Sequence, residues 1–237
     1  MAIQESKPRY HVPMHVRLFR WSFRPIFRGI FHILGKVVIT GKENVPEKGA
    51  YLIAINHISI IEPPLVLAFW PIAPEAVGAV DIWSKPGQST LARLYGGIPV
   101  HRGDYDRRLV ETMVTVLRSG RPLVIAPEGG RSHTPGMRPG LPGVAYVVDK
   151  AKVPILPVGI VGSTEDFLHR AFQGQRPTVE MRIGQAVRLP DIVGRGEQRK
   201  DALQQNTDLL MTEIARLLPA EYQGVYGKFV SSSFEAA

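Results

Sequence analysis

Tyr51-Leu52-Ile53-Ala54-Ile55-Asn56-His57-Ile58-Ser59-Ile60-Ile61-Glu62-Pro63-Pro64 is the stretch on which the reading of the fold turns. Residues 51–55 form a short β-type run of aliphatic and aromatic side chains. Pro63 and Pro64 fit only the first turn of a helix, so a helix is expected to follow them. Between strand and helix lies a loop carrying Asn56, His57 and Glu62. A strand that hands over to a helix in this way is the unit of an α/β sheet, where reacting groups collect at the carboxyl ends of strands.

The same alternation continues outward in both directions. Upstream, residues 37–39 read as a strand, separated from the first run by the turn-rich residues 41–49. Downstream, residues 64–80 contain Pro71, Pro74 and Glu75 and read as a buried helix followed by a turn. Residues 98–100 follow as a short strand, and 109–118 as a helix stopped at Gly120. A buried strand at 123–126 ends at Pro127, and a proline- and glycine-rich loop occupies 134–142. A helix at 144–150 and a strand at 153–160 come next, then two late strands at 179–183 and 186–189 that are expected to pair. Leu203, Leu210, Ile214 and Leu217 recur at helical spacing in a terminal helix over 200–218. The expected fold is a single α/β domain with a mixed, largely parallel central sheet flanked by helices.

Before this domain the pattern is different. Val16, Phe19, Phe23, Phe27, Ile30 and Leu34 recur every three or four residues, and Arg17, Arg20, Arg24 and Arg28 form a second stripe beside them. Pro25 is expected to divide the segment into two short helices. Aromatic side chains on one face with arginines alongside match an interfacial helix lying in the headgroup plane, its guanidinium groups on lipid phosphates. An amphipathic helix docked on the domain, its arginines solvated, is the alternative that periodicity leaves open.

Composition limits what such a chain does. With 237 residues, 44% of them hydrophobic, it can bury a substantial core. There is no cysteine, which excludes disulfides, a thiolate zinc site and a cysteine acyl-enzyme. The net charge of +8 points to an anionic partner. Zinc-finger spacing and an aromatic-rich RNA-binding signature are both absent, so lipid is favoured over nucleic acid. Met1 to Pro13 lack the apolar stretch of a secretory signal, and no run of about 20 apolar residues spans a membrane.

The chemistry gathers in four blocks. His57 can take a proton from an alcohol near neutral pH, and a carboxylate five residues on can fix its tautomer and stabilise the imidazolium. No serine of the chain stands in the nucleophile elbow expected of a hydrolase, so the alcohol is expected to come from the substrate. Gly96-Gly97-Ile98-Pro99-Val100-His101-Arg102 and Pro127-Glu128-Gly129-Gly130-Arg131-Ser132 each place flexible backbone and an arginine at a strand end, suited to a phosphate. The run Val153-Pro154-Ile155-Leu156-Pro157-Val158-Gly159 is apolar and suits a pocket wall. His101 and His133 have no acid at close spacing and are read as bystanders, Ser132 as a local hydrogen-bonding residue, and Lys85 either as charge for a phosphate or CoA pyrophosphate or as a solvated lysine.

In this order the blocks resemble those of the glycerophospholipid acyltransferases, the lysophosphatidic acid acyltransferases being the nearest type. The resemblance runs from about Val38 to Gly162. It implies a glycerol-3-phosphate acyltransferase-like domain over residues 37–237, behind basic, amphipathic, membrane-seating helices over 1–36. It also implies His57 as general base with Glu62 as its orienting partner, and Arg102, Glu128, Gly129, Gly130 and Arg131 around the acceptor. The donor would be acyl-CoA or acyl-carrier protein, with no metal and no cofactor. The acceptor would be a lysophospholipid such as 1-acyl-glycerol 3-phosphate, another lysolipid, or glycerol 3-phosphate. The expected place is the cytoplasmic face of the cell membrane, as a monotopic or peripheral protein. Two positions depart from the family pattern: Glu62 stands where aspartate is usual, and Gly130 where threonine is frequent. Both bear on the acceptor more than on the reaction type. A lipid phosphatase or esterase, or a non-catalytic lipid-binding protein, are the rival readings.

Overall fold

A computed structural model describes residues 9–101, 103 and 106–235; Arg102 lies outside the described residues. The chain opens with helix α1 (Met14–Leu34) and strand β1 (Lys36–Thr40), followed by β2 (Leu52–Ile55) and α2 (Glu62–Phe69). Next come β3 (Glu75–Ala79), α3 (Gln88–Tyr95), β4 (Ile98–Val100), α4 (Arg107–Arg118), β5 (Leu123–Ile125) and α5 (Gly143–Ala151). The last part holds β6 (Ile155–Val161), α6 (Phe167–Phe172), β7 (Thr178–Ile183), α7 (Gly196–Ala215) and α8 (Gly227–Glu235).

The strands form one sheet in the order β1-β7-β6-β2-β5-β3-β4. Five neighbouring pairs are parallel and β6–β7 is antiparallel, the mixed and largely parallel sheet that the strand–helix alternation implies. β2 is central and all four of its residues are buried. Because side chains alternate along a strand, Leu52 and Ala54 join one core with Leu117, Val148 and Ile214, under α4, α5 and α7. Ile53 and Ile55 join the other, with Phe23, Phe31, Leu65 and Trp70, under α1 and α2. The fold is therefore a sheet between two helical layers. β5 and β6 flank β2, so the loops that leave all three carboxyl ends converge on one point.

Several expectations need correction. Residues 14–34 form one helix with Pro25 inside it, not two short helices. Proline removes one intrahelical bond, to the carbonyl four residues earlier, and here both Pro25 and Trp21 are exposed, so water can take that bond. Residues 75–79 form a strand where a turn was expected; Glu75 at its start looks like a loop residue in sequence, yet it is fully buried. Residues 186–189 do not pair with β7. Val187 instead bridges Ile155 at the start of β6, because β7 already has a neighbour on each side, β1 and β6.

The two stripes of α1 are also assigned differently. Val16, Phe23 and Phe31 are buried against the domain, and Phe19 and Phe27 are partly buried, as in an amphipathic helix docked on the domain. Arg17 is exposed, whereas Arg20, Arg24 and Arg28 bond to the domain rather than lying simply solvated. Arg28 Nε donates to the Ala68 carbonyl at 2.8 Å, and Arg24 Nη2 donates to the carbonyls of Trp70 and Pro71. Both thus cap the carboxyl end of α2, where unpaired carbonyls and the helix dipole favour a cation. Arg20 is buried and binds Glu75 through two bonds of 2.7 Å. The face left to solvent carries Leu18, Trp21, Ile26, Ile30 and Ile33.

Candidate active site

Asn56 explains why His57 leaves the sheet where it does. Its side-chain amide is fully buried, donates to the Ile160 carbonyl at 2.9 Å and accepts from the Ile160 amide at 2.7 Å. It thus imitates one more peptide of β2 pairing with β6, which anchors the chain at its turn away from the sheet. One residue on, His57 Nδ1 lies 2.7 Å from Glu62 Oε2. A carboxylate at Nδ1 takes the N–H there and leaves the lone pair on Nε2.

Glu62 is fully buried and fully satisfied. Its Oε1 accepts from the backbone amides of Ile58 and Ser59 at 3.1 and 2.9 Å and from the Ser163 hydroxyl at 2.6 Å. Oε2 accepts from Ser59 N at 3.1 Å besides the imidazole. As the first residue of α2, it carries its charge at the positive end of that helix. Donors gathered in this way satisfy both oxygens of the buried carboxylate.

The loop after β5 is tied to the same turn. The Ser132 amide donates to the His57 carbonyl at 2.8 Å and the His133 amide to that of Ile58 at 3.3 Å. Glu128 is buried, and its two oxygens accept from the amides of His57 and Arg138, each at 2.9 Å. Burial pushes its carboxyl above the ordinary value, against the opposing pull of those two amides. Its position is that of a brace that fixes the His57 backbone to the loop. Gly129 adopts φ +67°, and a Cβ there would come within 2.4 Å of Leu141 Cδ1, so this turn requires glycine. Arg131 is half-buried on the same loop, with no carboxylate partner among the described residues. The Arg138 guanidinium donates to its carbonyl at 3.2 Å.

Beside the pair lies a cavity of about 500 Å³. His57, Gly129 and Gly130 form part of its wall, and the rest is mainly apolar, with Val77, Leu109, Met113 and Val144 among its lining. The structure thus brings His57, Glu62, Glu128, Gly129 and Gly130 together, with Arg131 on the adjoining loop. Two contributors escape a reading of the sequence. Arg138 sits in a loop without periodicity, and Ser163 lies 101 residues from the glutamate it touches. The one signal for Ser163 is a polar residue two positions beyond the end of an apolar strand.

Comparison with known proteins bears on the same region. A family model described as acyltransferase matches residues 36–161, just over half of the chain. A 1-acyl-sn-glycerol-3-phosphate acyltransferase of Borreliella burgdorferi is 23% identical over 185 residues, which cover 77% of this chain and 72% of that protein. A Mycoplasma genitalium protein named probable 1-acyl-sn-glycerol-3-phosphate acyltransferase is 29% identical, over 67% of this chain and 60% of its own length. The crystal structure of the 1-acyl-sn-glycerophosphate (LPA) acyltransferase PlsC from Thermotoga maritima superposes with a TM-score of 0.59 at 22% identity, covering 82% of this chain and 80% of that one. It shares the fold. The matched residues include β2, the His57–Glu62 turn, the Glu128 loop and all of β6, and on this ground the chain belongs to the acyltransferase family.

Proposed function

We propose that this protein transfers a fatty acyl chain from a thioester donor, acyl-CoA or acyl-carrier protein, to the hydroxyl of a lysophospholipid. The acceptor of choice is 1-acyl-glycerol 3-phosphate, which would give phosphatidic acid, in line with what the names of the relatives say of those proteins. The observation that carries the reading is the His57–Glu62 pair of 2.7 Å on the wall of an apolar cavity, with no serine or threonine hydroxyl bonded to the imidazole among the described residues. There is no cysteine. Among the described residues, Ser132 donates to the Thr134 carbonyl and Ser163 to Glu62, while Ser59 Oγ, buried in the turn, accepts from the Ile61 amide at 3.3 Å. The attacking oxygen is then the acceptor's.

In this mechanism His57 Nε2 removes the proton of the acceptor hydroxyl as its oxygen attacks the thioester carbonyl. Glu62 accepts from the imidazolium and stabilises it, as the acid of a triad does. The tetrahedral intermediate collapses, the carbon–sulfur bond breaks, and the imidazolium proton passes to the departing thiolate. Two substrates balance the reaction, so it needs no cofactor. The Gly129 amide is bonded to the Ala126 carbonyl, which leaves the Gly130 amide, on the cavity wall, as the oxyanion donor of this loop. The acyl chain would occupy the apolar cavity, whose volume falls in the usual range for a ligand site. Arg131, and Arg102 beyond the described residues, would hold the acceptor phosphate.

The outer face of α1 supports a seat on the cytoplasmic leaflet as a peripheral or monotopic protein. Trp21 is 80% exposed and Ile33 76%, and exposed apolar residues along one helix suit the acyl boundary of a bilayer. No helix among the described residues is long and apolar enough to cross a membrane.

The test is purified protein with acyl-CoA or acyl-carrier protein and 1-acyl-glycerol 3-phosphate. Thiol release that depends on the acceptor is expected, and His57→Ala should lower it by at least about a thousandfold while leaving the fold intact. Free fatty acid or phosphate released without an acceptor would make the protein a hydrolase. Lipid binding without turnover would leave a non-catalytic binding protein.

A further inference from the structure

Ser163 stands two residues beyond the part of the chain that the family model covers, and its hydroxyl makes the short 2.6 Å bond to Glu62 Oε1. It is fully buried. Its place is set by the backbone on both sides. β6 is held to Asn56 through Ile160. Gly162, next in line, adopts φ +81°, and a Cβ there would lie 2.2 Å from the Thr178 carbonyl of β7. The Gly162 amide donates to the Tyr222 hydroxyl at 3.1 Å. The end of β6 is thus clamped between β7 and the segment after α7, and Ser163 is delivered to the buried carboxylate.

Glu62 is also the position at which the sequence departs from the aspartate that the resemblance to lysophosphatidic acid acyltransferases leads one to expect. The glutamate carboxylate meets three sets of donors: the amides of the preceding turn, His57, and Ser163 on the neighbouring strand end. An aspartate on the same backbone is shorter by one methylene, so it cannot reach His57 and Ser163 together without a backbone shift. We propose that Ser163 is a positioning residue matched to the glutamate, fixing the carboxylate that orients His57. The inference rests on the acyl-transfer reading only in its kinetic part. Removing the hydroxyl takes one neutralising donor from the carboxylate. Its charge then acts more strongly on the imidazole, and His57 holds its proton to higher pH. Among the described residues, the ionisable groups around the pair include Glu128, across the His57 amide, Arg138 beyond it, and His101 and Asp106 on the shared cavity wall. All are left in place.

The test is a double-mutant cycle with Ser163→Ala, Glu62→Asp and the pair combined, with Ser163→Cys as a second variant that keeps a weak donor. Ser163→Ala should lower kcat about tenfold with KM for both substrates unchanged, and move the acid limb of the pH profile upward. Ser163→Cys should fall in between. In the Glu62→Asp background, Ser163→Ala should cost no more than about twofold. The His57 ring resonances, followed by NMR against pH without substrate, should titrate at higher pH in Ser163→Ala than in the wild type. An unchanged His57 titration overturns the proposal whether or not the protein is active, and so does full additivity of the two substitutions. Absence of acceptor-dependent turnover in the wild type, with the His57 shift present, would overturn the acyl-transfer reading and leave the positioning role of Ser163 standing.

Discussion

At the scale of single residues, the site is a set of buried polar groups with their partners accounted for. Asn56, Glu62, Glu128 and Ser163 are all buried, and each bonds to backbone or to another member of the set. Such a network is stable only when complete, because an unpaired buried donor or acceptor costs about 1–3 kcal/mol. Gly129 is the point at which the network meets the cavity, since the turn that presents Glu128 to the His57 amide needs a positive φ. Gly129→Ala should therefore destabilise the fold by about 1–2 kcal/mol through the left-handed backbone alone and displace Leu141 as well. Gly129→Ala combined with Leu141→Ala removes the contact and keeps the backbone strain. Chemical unfolding should show partial recovery in the double variant, and full recovery would mean that the contact, not φ, makes glycine necessary. The pairing of His57 with Glu62 was legible in sequence because both lie within one turn between a strand and a helix. Ser163 was not, because strand order, which one sequence does not reveal, decides that the end of β6 lies beside β2.

At the scale of elements, α1 shows what periodicity can and cannot say. The spacing of Val16, Phe23 and Phe31 against Arg20, Arg24 and Arg28 establishes that a helix has distinct faces. It does not say what each face meets. The arginines found carbonyls at the end of α2 and the buried Glu75, partners 40 to 55 residues away in sequence, while a third face of aliphatic side chains and Trp21 was left outside. The two apolar faces should then answer differently to substitution. Phe23→Ala opens a cavity in the core between α1, α2 and Tyr95 and should cost about 3–5 kcal/mol. Trp21→Ser with Ile30→Ser should leave the unfolding midpoint within about 0.5 kcal/mol of the wild type and weaken sedimentation with anionic phospholipid vesicles severalfold. Equal vesicle binding by the double variant would remove the outer face of α1 as the seat. The sheet itself was legible through its aliphatic runs. β3 was missed because its first residue is a charged Glu75, whose burial depends on two arginines from other elements.

At the scale of the whole molecule, ionisable groups tie both ends of the chain to the middle. Glu75 at the start of β3 accepts from Arg20 of α1, from Arg121 in the turn before β5 and from the Tyr10 hydroxyl ahead of α1. Burial alone would raise its carboxyl, but the two guanidinium groups outweigh it and hold it below the ordinary 4.5. Near the other end, the Tyr226 hydroxyl accepts from the Gly140 amide and bonds Asp208. Burial first, and then Glu75, pushes Tyr10 up to about 12. Burial, with Asp208 adding to it, does the same for Tyr226. The signs are opposite at the two extremes of pH. A carboxylate depressed on folding contributes stability above its unfolded value, and loses it as pH falls through the folded one. A phenol raised on folding contributes stability below 10, its ordinary value, and loses it as pH rises towards about 12. Urea midpoints should therefore fall below the carboxylate range and again in the alkaline range. Glu75→Gln should lower the plateau by about 3–5 kcal/mol, since it leaves Arg20 buried without its counter-charge, and should flatten the acid limb. Tyr226→Phe should leave the acid limb alone, Tyr10→Phe should weaken it slightly by taking a donor from Glu75, and both should flatten the alkaline limb. An alkaline limb as steep in the double phenylalanine variant as in the wild type would show that neither end of the chain is held in the way these bonds imply.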